Sequence, residues 1–202
     1  MNLSQWPSAA DVNETLAAHG VSGVTQARAE TAVEVAVSTL ETISGYAPFL
    51  AGAAKTLYLT PQGIASLELP IVLASIESVT LAGVAIPPEE WFDGPDLSPP
   101  FRRLTFAKRV SGSRRSLVVV GRPGYAVILP ADVWEAVRNY AAAILLDESF
   151  SAQSHSLEKD QIRQENVTYR FVRPKDRVNP ALQLRAEALR VFEAHAAKGM
   201  AG

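Results

Sequence analysis

The hydrophobic pattern of this chain changes period twice, and these changes restrict its fold more than any other feature. Apolar residues recur every three or four positions from Ala29 to Ile43, alternate with polar ones from Thr56 to about Val120, and regain a helical spacing after Pro130. The first spacing marks amphipathic helices and the second half-buried strands. The order predicts an α+β fold: two N-terminal helices, one central and one C-terminal helix, packed with a small antiparallel sheet of hairpins.

Capping and breaker residues predict where the helices begin and end. Ser8 with Asp11 predicts the start of the first helix, and Thr25 the start of the second. Pro130 and Asp132 suit the first turn of the central helix, where a proline is tolerated and a negative charge is favourable. The predicted helices cover residues 8–20, 25–44, 130–149 and 180–197.

Short alternating segments separated by prolines and glycines predict strands. They cover residues 56–60, 66–69, 76–81, 84–86, 103–107, 116–120 and 166–172. Ala82 and Gly83 predict a hairpin turn, and the proline-rich acidic segment 87–100 predicts a long loop. If the strands at 103–107 and 116–120 pair, residues 108–115 form the basic tip of a hairpin.

The composition excludes several classes of protein. The chain has 202 residues and no cysteine, which excludes disulfides and thiolate metal sites and fits a reducing compartment. No apolar run reaches about 18 residues, the length at which a membrane span is considered. The N-terminal residues lack the basic and apolar regions of a secretory signal. We therefore expect a soluble protein, made in a cytoplasm, with no membrane contact.

Residues that carry enzyme chemistry occur here without the partners that such chemistry needs. His19, His155 and His195 have no second histidine or carboxylate at metal-ligand spacing. Ser154 and Ser156 flank His155, but neighbours in sequence rarely reach the geometry of a nucleophile and its base. We expect no catalytic residue, no cofactor and no metal, and hence no enzyme.

The two halves of the chain carry opposite net charge. Residues 1–101 hold two basic and eleven acidic side chains, while residues 102–202 hold seventeen basic and ten acidic ones. The formal net charge of −2 therefore conceals halves of about −9 and +7. Oppositely charged surfaces set the orientation and register of a protein contact more than its affinity. The split favours a role in assembly; the alternative is that solvated charges segregated without a role.

A basic group stands out in the second half of the chain. Its members are Arg102, Arg103, Lys108, Arg109, Arg114 and Arg115. In the predicted hairpin the first two lie at one end and the other four at the tip. Such a group can contact phosphates, although few aromatic residues are interleaved for base stacking. A protein interface, passing contact with DNA and plain solvation all stay open.

Several segments follow one another in a distinctive order. After the two N-terminal helices come Leu57-Tyr-Leu59, Ile76-Glu-Ser-Val-Thr-Leu-Ala-Gly83, Leu117-Val-Val-Val-Gly-Arg-Pro-Gly-Tyr125, Leu129-Pro-Ala-Asp-Val133 and Tyr140-Ala-Ala-Ala-Ile-Leu-Leu146. This layout resembles the head-to-tail adaptor (connector) proteins of tailed bacteriophages and related gene transfer agents. The resemblance spans about residues 5–150 and is looser at 166–172 and in the final helix.

The resemblance implies a structural role in a virion. Members of the family form a ring, commonly twelve-fold, beneath the portal at the capsid vertex, and packaged DNA passes through the channel. The implied partners are further copies of the chain, the portal protein and a stopper or other tail-completion protein, with non-specific proximity to double-stranded DNA. The implied location is the head-to-tail neck, assembled in the host cytoplasm. The family brings no catalytic residue with it.

The resemblance also implies roles for parts of this chain. Residues 1–150 correspond to an adaptor core with a protruding loop at 87–115, and residues 151–202 to an extension that docks on the portal. The docking candidates are Tyr169, Arg170, Arg173, Lys175 and Arg177. The acidic residues Glu89, Glu90 and Asp93, like the basic group, are expected at a subunit interface or facing DNA.

Two other functions fit parts of the sequence. A DNA-binding accessory protein would use the basic hairpin at 102–115 and would bind as a small species with a steep dependence on salt. A different neck component, such as the stopper that follows the adaptor, would share the structural role.

Overall fold

The computed structural model describes residues 2–45, 48–91, 100–161 and 179–200. The helices are α1 (Ala9–Ala18), α2 (Gln26–Ser44), α3 (Pro88–Trp91), α4 (Ala131–Gln161) and α5 (Pro180–Met200). The strands are β1 (Lys55–Leu59), β2 (Gln62–Leu81), β3 (Val84–Ile86), β4 (Phe101–Ser111) and β5 (Leu117–Pro123). The predicted α+β class is confirmed. Among the described helices, none combines the length and apolar character that a membrane crossing requires.

The described elements fall into two compact units. Apart from a few terminal residues, α1, α2, α4 and α5 form a helical unit, and the five strands with α3 form a sheet unit. The boundary expected at residue 150 lies inside α4, so the structure divides the chain by element type. The separate role expected for residues 151–202 stays a prediction.

The predicted capping of α1 is confirmed. Ser8 Oγ accepts a hydrogen bond from the N–H of Asp11 at 3.3 Å, and the Asp11 carboxylate accepts one from the N–H of Ser8 at 2.7 Å. The Ser8 hydroxyl also donates to this carboxylate at 2.6 Å and is the main cause that holds the pKa of Asp11 below its ordinary value. Val12 and Leu16 form the buried side of α1, which contacts α4.

The apolar face predicted for α2 is buried. The N–H of Arg28 donates to Thr25 Oγ1 at 3.4 Å, so the helix begins where the sequence indicates. Three of the buried residues are alanines, which allow close approach to neighbouring elements because the distance between packed helices depends on the side chains at the contact. The buried face consists of Ala29, Ala32, Val33, Ala36 and Leu40.

The central helix α4 continues beyond its predicted end at 147–149. Residues 150–161 contain neither glycine nor proline, the residues that disfavour a helix most strongly. The helix therefore runs on to Gln161.

The last helix begins at the predicted Pro180. Its start is capped by Asn179, whose Oδ1 accepts a hydrogen bond from the N–H of Ala181 at 3.0 Å. Phe192 is fully buried, and its ring centroid lies 5.8 Å from that of Tyr140 on α4. This aromatic contact joins α5 to α4 within the helical unit.

The sheet is organised around β2, a strand of 20 residues. Its first half pairs antiparallel with β4 and its second half pairs antiparallel with β5. Leu73 has a partner in each, Phe101 in β4 and Pro123 in β5. β3 pairs with the C-terminal end of β2, and β1 pairs with β5. Three strands therefore assemble on β2.

The break that Pro70 was expected to make in the strand pattern is absent. The predicted strands 66–69 and 76–81 are both parts of β2. The register between β2 and β4 shifts between Glu68 and Leu73, so Pro70 lies at an irregularity of the ladder. Proline is tolerated there because its missing N–H leaves no ladder hydrogen bond unmade.

The predicted pairing of residues 103–107 with 116–120 is wrong. These segments belong to β4 and β5, and each pairs with a different half of β2. The long central strand offers both of them a partner, so they do not form a hairpin with each other. The basic residues accordingly lie on β4 and on the link 112–116, because β4 extends to Ser111.

The turn predicted at Ala82 and Gly83 is confirmed. Their φ angles are 49° and 83°, and two positive values in succession are typical of the type I′ turn that suits tight hairpins. The loop predicted at 87–100 instead begins with the short helix α3. The Trp91 indole at its end is 5 % exposed and donates to the carbonyl of Ile86 at 3.0 Å, which fixes α3 on the sheet unit.

The core of the sheet unit is continuous from β2 to α3. Its fully or nearly fully buried members are Leu73, Val79, Trp91, Leu104, Phe106, Leu117 and Val119. The predicted strand at 166–172 and the remainder of the acidic loop, 92–99, lie outside the described residues.

Candidate functional site

The segment from β4 to β5 is strongly cationic. Residues 101–123 contain seven basic side chains and no carboxylate. Two of them form ion pairs with β2: Arg103 with Glu68 at 3.3 Å and Arg122 with Glu77 at 3.1 Å. All four side chains are about half exposed or more, so each pair contributes at most about 1 kcal/mol.

Four other cations of this segment are exposed and form no ion pair within the described parts of the chain. We call them the cationic tip: Lys108, Arg109, Arg114 and Arg115. They lie at the C-terminal end of β4 and on the link to β5, whereas Arg102 and Arg103 lie at the opposite end of β4. The structure thus places two of the four residues that the sequence assigned to a hairpin tip at the end of β4 and two on the link to β5, and these strands do not pair with each other.

Hydrogen bonds to backbone carbonyls and to one threonine side chain anchor the link 112–116. Gly112 N–H donates to the carbonyl of Pro61 at 3.2 Å, and Arg115 N–H donates to Thr60 Oγ1 at 3.0 Å. The carbonyl of Ser116 accepts from Ala82 N–H at 2.8 Å. These bonds tie the link to the residues directly before and after β2, which restricts the backbone that carries the two arginines.

Arg115 occupies a backbone conformation that favours glycine. Its φ is +59°, in the left-handed region, where a side chain with a Cβ adds strain of about 1–2 kcal/mol. Backbone strain of this kind concentrates at functional positions. The arginine at this position is therefore a candidate for a functional side chain.

Replacing Arg115 with glycine is therefore expected to raise the free energy of unfolding of the sheet unit by about 0.5–1 kcal/mol, because it relieves this strain. Arg114, which has an ordinary negative φ, is the matched control: Arg114→Gly makes the same chemical change and should slightly destabilise the unit through a more flexible unfolded chain. Urea denaturation of both variants measures the difference. Equal losses of stability in the two would contradict the assignment of strain to position 115.

A groove between the N-terminal end of α1 and α2 is the second candidate surface. Its volume is about 570 Å³. Pro7, Ala9, Ala10 and Val33 supply apolar atoms, and the polar lining consists of Ser8, Asn13, Gln26, Glu30 and Glu34. No basic residue lines it. We call this the acidic groove. Sequence reasoning missed it, because the pattern showed each helix but not which residues their packing would bring together.

The remaining predicted site residues belong to neither of these two surfaces or lie outside the described residues. Glu89 and Glu90 are exposed on α3. Asp93 falls in the undescribed segment 92–99, and the expected portal-docking residues fall in 162–178. Those roles stay predictions: Tyr169, Arg170, Arg173, Lys175 and Arg177.

His195 belongs to a structural contact. It is 5 % exposed, and its Nε2 lies 3.1 Å from Oδ2 of Asp132 in the first turn of α4. Burial opposes ionisation of Asp132, but the hydrogen bond and charge of His195 outweigh it and lower the pKa of this carboxyl. In the described part of the chain, no three histidine, aspartate or glutamate side chains gather in a way that could hold a metal ion.

Asp132→Asn is expected to lower the free energy of unfolding at pH 7, because it weakens the contact between α4 and α5. The pKa of Asp132 is lowered on folding, so its contribution is complete above the ordinary value of 3.8 and is lost as the pH falls through the lowered value. The parent and the variant should thus differ at pH 7 and converge as the pH falls below the lowered pKa of Asp132. Urea titrations at several pH values measure the free energy of unfolding of both proteins. A difference that persists at acid pH would show that the effect does not depend on ionisation of Asp132.

Comparisons with known proteins give structural likeness only. No family model matches the chain, and no curated protein matches it. A chain from the neck of an empty GTA particle with C6 symmetry is 16 % identical, with 92 % of this chain and 94 % of that chain covered and a TM-score of 0.47.

Two further solved chains are similar. One, from the virion of a native gene transfer agent (GTA) particle, is 16 % identical over 84 % of this chain and 87 % of its own, with a TM-score of 0.44. The other, from the neck of a native GTA particle with C12 symmetry, is 17 % identical over 92 % and 93 %, with a TM-score of 0.41. Likeness at this level transfers no function, which must be argued from the residues of the chain itself.

Proposed function

We propose that this chain is a structural subunit of a virion neck: a head-to-tail adaptor that forms a ring between the portal and the tail-completion proteins. The resemblance of residues 5–150 to such adaptors motivates the proposal. One observation carries it: the cationic tip and the carboxylates Glu30 and Glu34 are exposed, opposite in charge and without ion-pair partners among the described residues.

Two exposed groups of opposite charge on one chain, each without ion-pair partners among the described residues, suit contact between identical copies. A contact that joins two different surfaces of the same chain is heterologous, and successive contacts generate a ring when the rotation between neighbours closes. Charge complementarity would set the register between neighbours and exclude other arrangements. The family resemblance suggests twelve subunits.

The proposed ring has two neighbours and a channel. Residues 162–178, with Tyr169 and Arg170, would dock on the portal, and the opposite side would receive the stopper or another tail-completion protein. Packaged double-stranded DNA would pass through the channel without sequence-specific contact. This role belongs in the virion after assembly in the host cytoplasm, and it requires no catalytic group, cofactor or metal.

The test is co-assembly of the full-length chain with the portal protein encoded nearest to its gene. Native mass spectrometry and electron microscopy of the mixture should reveal a closed ring, alone or seated on the portal. Reversing Arg170 and Arg173 to glutamate should release the ring from the portal without opening it. Lys55→Glu, an exposed charge change on β1, is the control that should leave docking intact.

Other outcomes would support different functions. A small species that binds duplex DNA with a steep salt dependence, and that forms no ring with portal, would favour a DNA-binding accessory protein over the adaptor. A ring that binds the tail-completion side but never the portal would favour a stopper. Either result would overturn the proposal.

A further inference from the structure

We propose that the cationic tip of one copy docks into the acidic groove of a second copy, with Arg114 and Arg115 bound to Glu30 and Glu34. The inference deepens the proposed ring function and rests on it, because it names the two surfaces that join neighbouring subunits.

The groove offers two carboxylates on one helix, and the tip offers two arginines that are neighbours in sequence. Glu30 and Glu34 are four residues apart on α2 and both are exposed, which places them on one side of the helix with Cβ atoms about 6 Å apart. Arg114 and Arg115 are neighbours on an ordered link. Two adjacent guanidinium groups can therefore each meet one carboxylate, in the paired hydrogen bonds that arginine forms with such groups.

The groove suits the whole arginine side chain as well as its charge. Pro7, Ala9, Ala10 and Val33 supply apolar atoms against which the aliphatic part of an arginine can pack while its head stays at the polar rim. Gln26 Nε2 donates to Glu30 Oε1 at 2.7 Å, which orients this carboxylate and leaves its second oxygen able to accept.

The charge distribution favours a second copy as the occupant. Residues 101–123 include no carboxylate and the groove lining includes no cation, so like charges do not oppose this contact. Each copy offers one tip and one groove, so each can give one contact and receive one. Successive contacts of this kind form a ring when the rotation between neighbours closes.

DNA is the competing partner of the tip. Its phosphates would attract the same four cations, but they would not explain a groove of complementary charge and suitable apolar lining on the same chain. The strained φ of Arg115 also fits a contact that needs one fixed direction better than it fits loose attraction to a phosphate backbone.

Charge reversal in both surfaces tests the proposal. Arg114→Glu with Arg115→Glu should weaken association of the full-length chain at least tenfold, and Glu30→Arg with Glu34→Arg should do the same. An equimolar mixture of the two double variants should recover association, with the two variants alternating. The reversed tip of the first variant then meets the reversed groove of the second, and the unchanged tip of the second meets the unchanged groove of the first. Lys55→Glu with Arg190→Glu, exposed changes of the same size outside both surfaces, should have little effect.

Crosslinking gives a readout that does not depend on ring closure. The natural chain contains no cysteine, so an engineered one is unique. A chain with Arg114→Cys mixed with a chain with Glu34→Cys should be joined by a short bismaleimide into a heterodimer. Arg190→Cys mixed with Glu34→Cys is the control and should stay unlinked.

The two experiments separate failure of the inference from failure of the proposed function. Rings that persist in both charge-reversed variants, with no crosslink between positions 114 and 34, would overturn this contact and leave the adaptor role intact. A crosslink without any ring, even on portal, would support the contact and count against the adaptor role. Intact rings together with weakened duplex binding in the tip variant would assign the tip to DNA and overturn the inference.

Discussion

Gly121→Ala is expected to be among the most damaging single substitutions in the sheet unit, lowering its free energy of unfolding by about 3 kcal/mol. Gly121 lies in β5, opposite Ile76 of β2 on one side and Lys55 of β1 on the other. A Cβ at this position would lie 2.5 Å from the carbonyl oxygen of Ser75 and 2.9 Å from Cδ1 of Leu73. The first of these is a backbone atom in the ladder, so relief requires β2 and β5 to separate.

Gly52→Ala is the matched control for this prediction. A Cβ at Gly52 would meet nothing within 4 Å, and the residue has no positive φ. The same added methyl group should therefore change stability by less than about 0.5 kcal/mol. Urea denaturation, followed by amide exchange in β2 and β5, compares the two variants. Equal stability of both would show that the ladder at Gly121 tolerates a side chain.

Leu73→Ala is expected to lower the free energy of unfolding by about 3–5 kcal/mol, a large part of the roughly 5–15 kcal/mol that stabilises a typical domain. Leu73 is fully buried and is the residue at which β2 pairs with both β4 and β5. The surrounding strands are fixed by these ladders, so the structure can fill the resulting cavity only in part, and the cavity adds to the lost transfer energy.

Leu182→Ala makes the same chemical change at an exposed site. Leu182 lies on α5 with 59 % of its surface exposed, so its loss should alter stability by well under 1 kcal/mol. The loss of unfolding free energy, measured by thermal and urea denaturation, should thus be several times larger for Leu73→Ala than for Leu182→Ala. A mild result for Leu73→Ala would mean that the two halves of the sheet are not joined at this residue.

Local signals predicted the elements well. Ser8 and Asp11 cap α1, Thr25 caps α2, and Ala82 with Gly83 forms the turn into β3. Each of these depends on residues within four positions of one another, which a sequence displays directly. The exposed positions of the cationic tip were predicted for a similar reason, since four charged side chains within eight residues have few ways to be buried.

Non-local signals were the ones that failed. β4 pairs with the first half of β2 and β5 with the second half, and the two do not pair with each other. The sequence of neither segment indicates which of the possible partner strands it will choose. The continuation of β2 through Pro70 depends on a register shift opposite β4, which exists only once the strands have met. The acidic groove likewise arises from the packing of α1 and α2, so Glu30 and Glu34 read in isolation are ordinary solvated charges of an amphipathic helix.

The length of β2 has a consequence for how the sheet unit comes apart. Because β3, β4 and β5 all hydrogen-bond to this one strand, unfolding of β2 breaks all three ladders at once. We expect opening of the sheet unit to proceed through β2 as one cooperative event. Amide protons of β4 and β5 should therefore exchange with similar free energies of opening, although the two strands never pair.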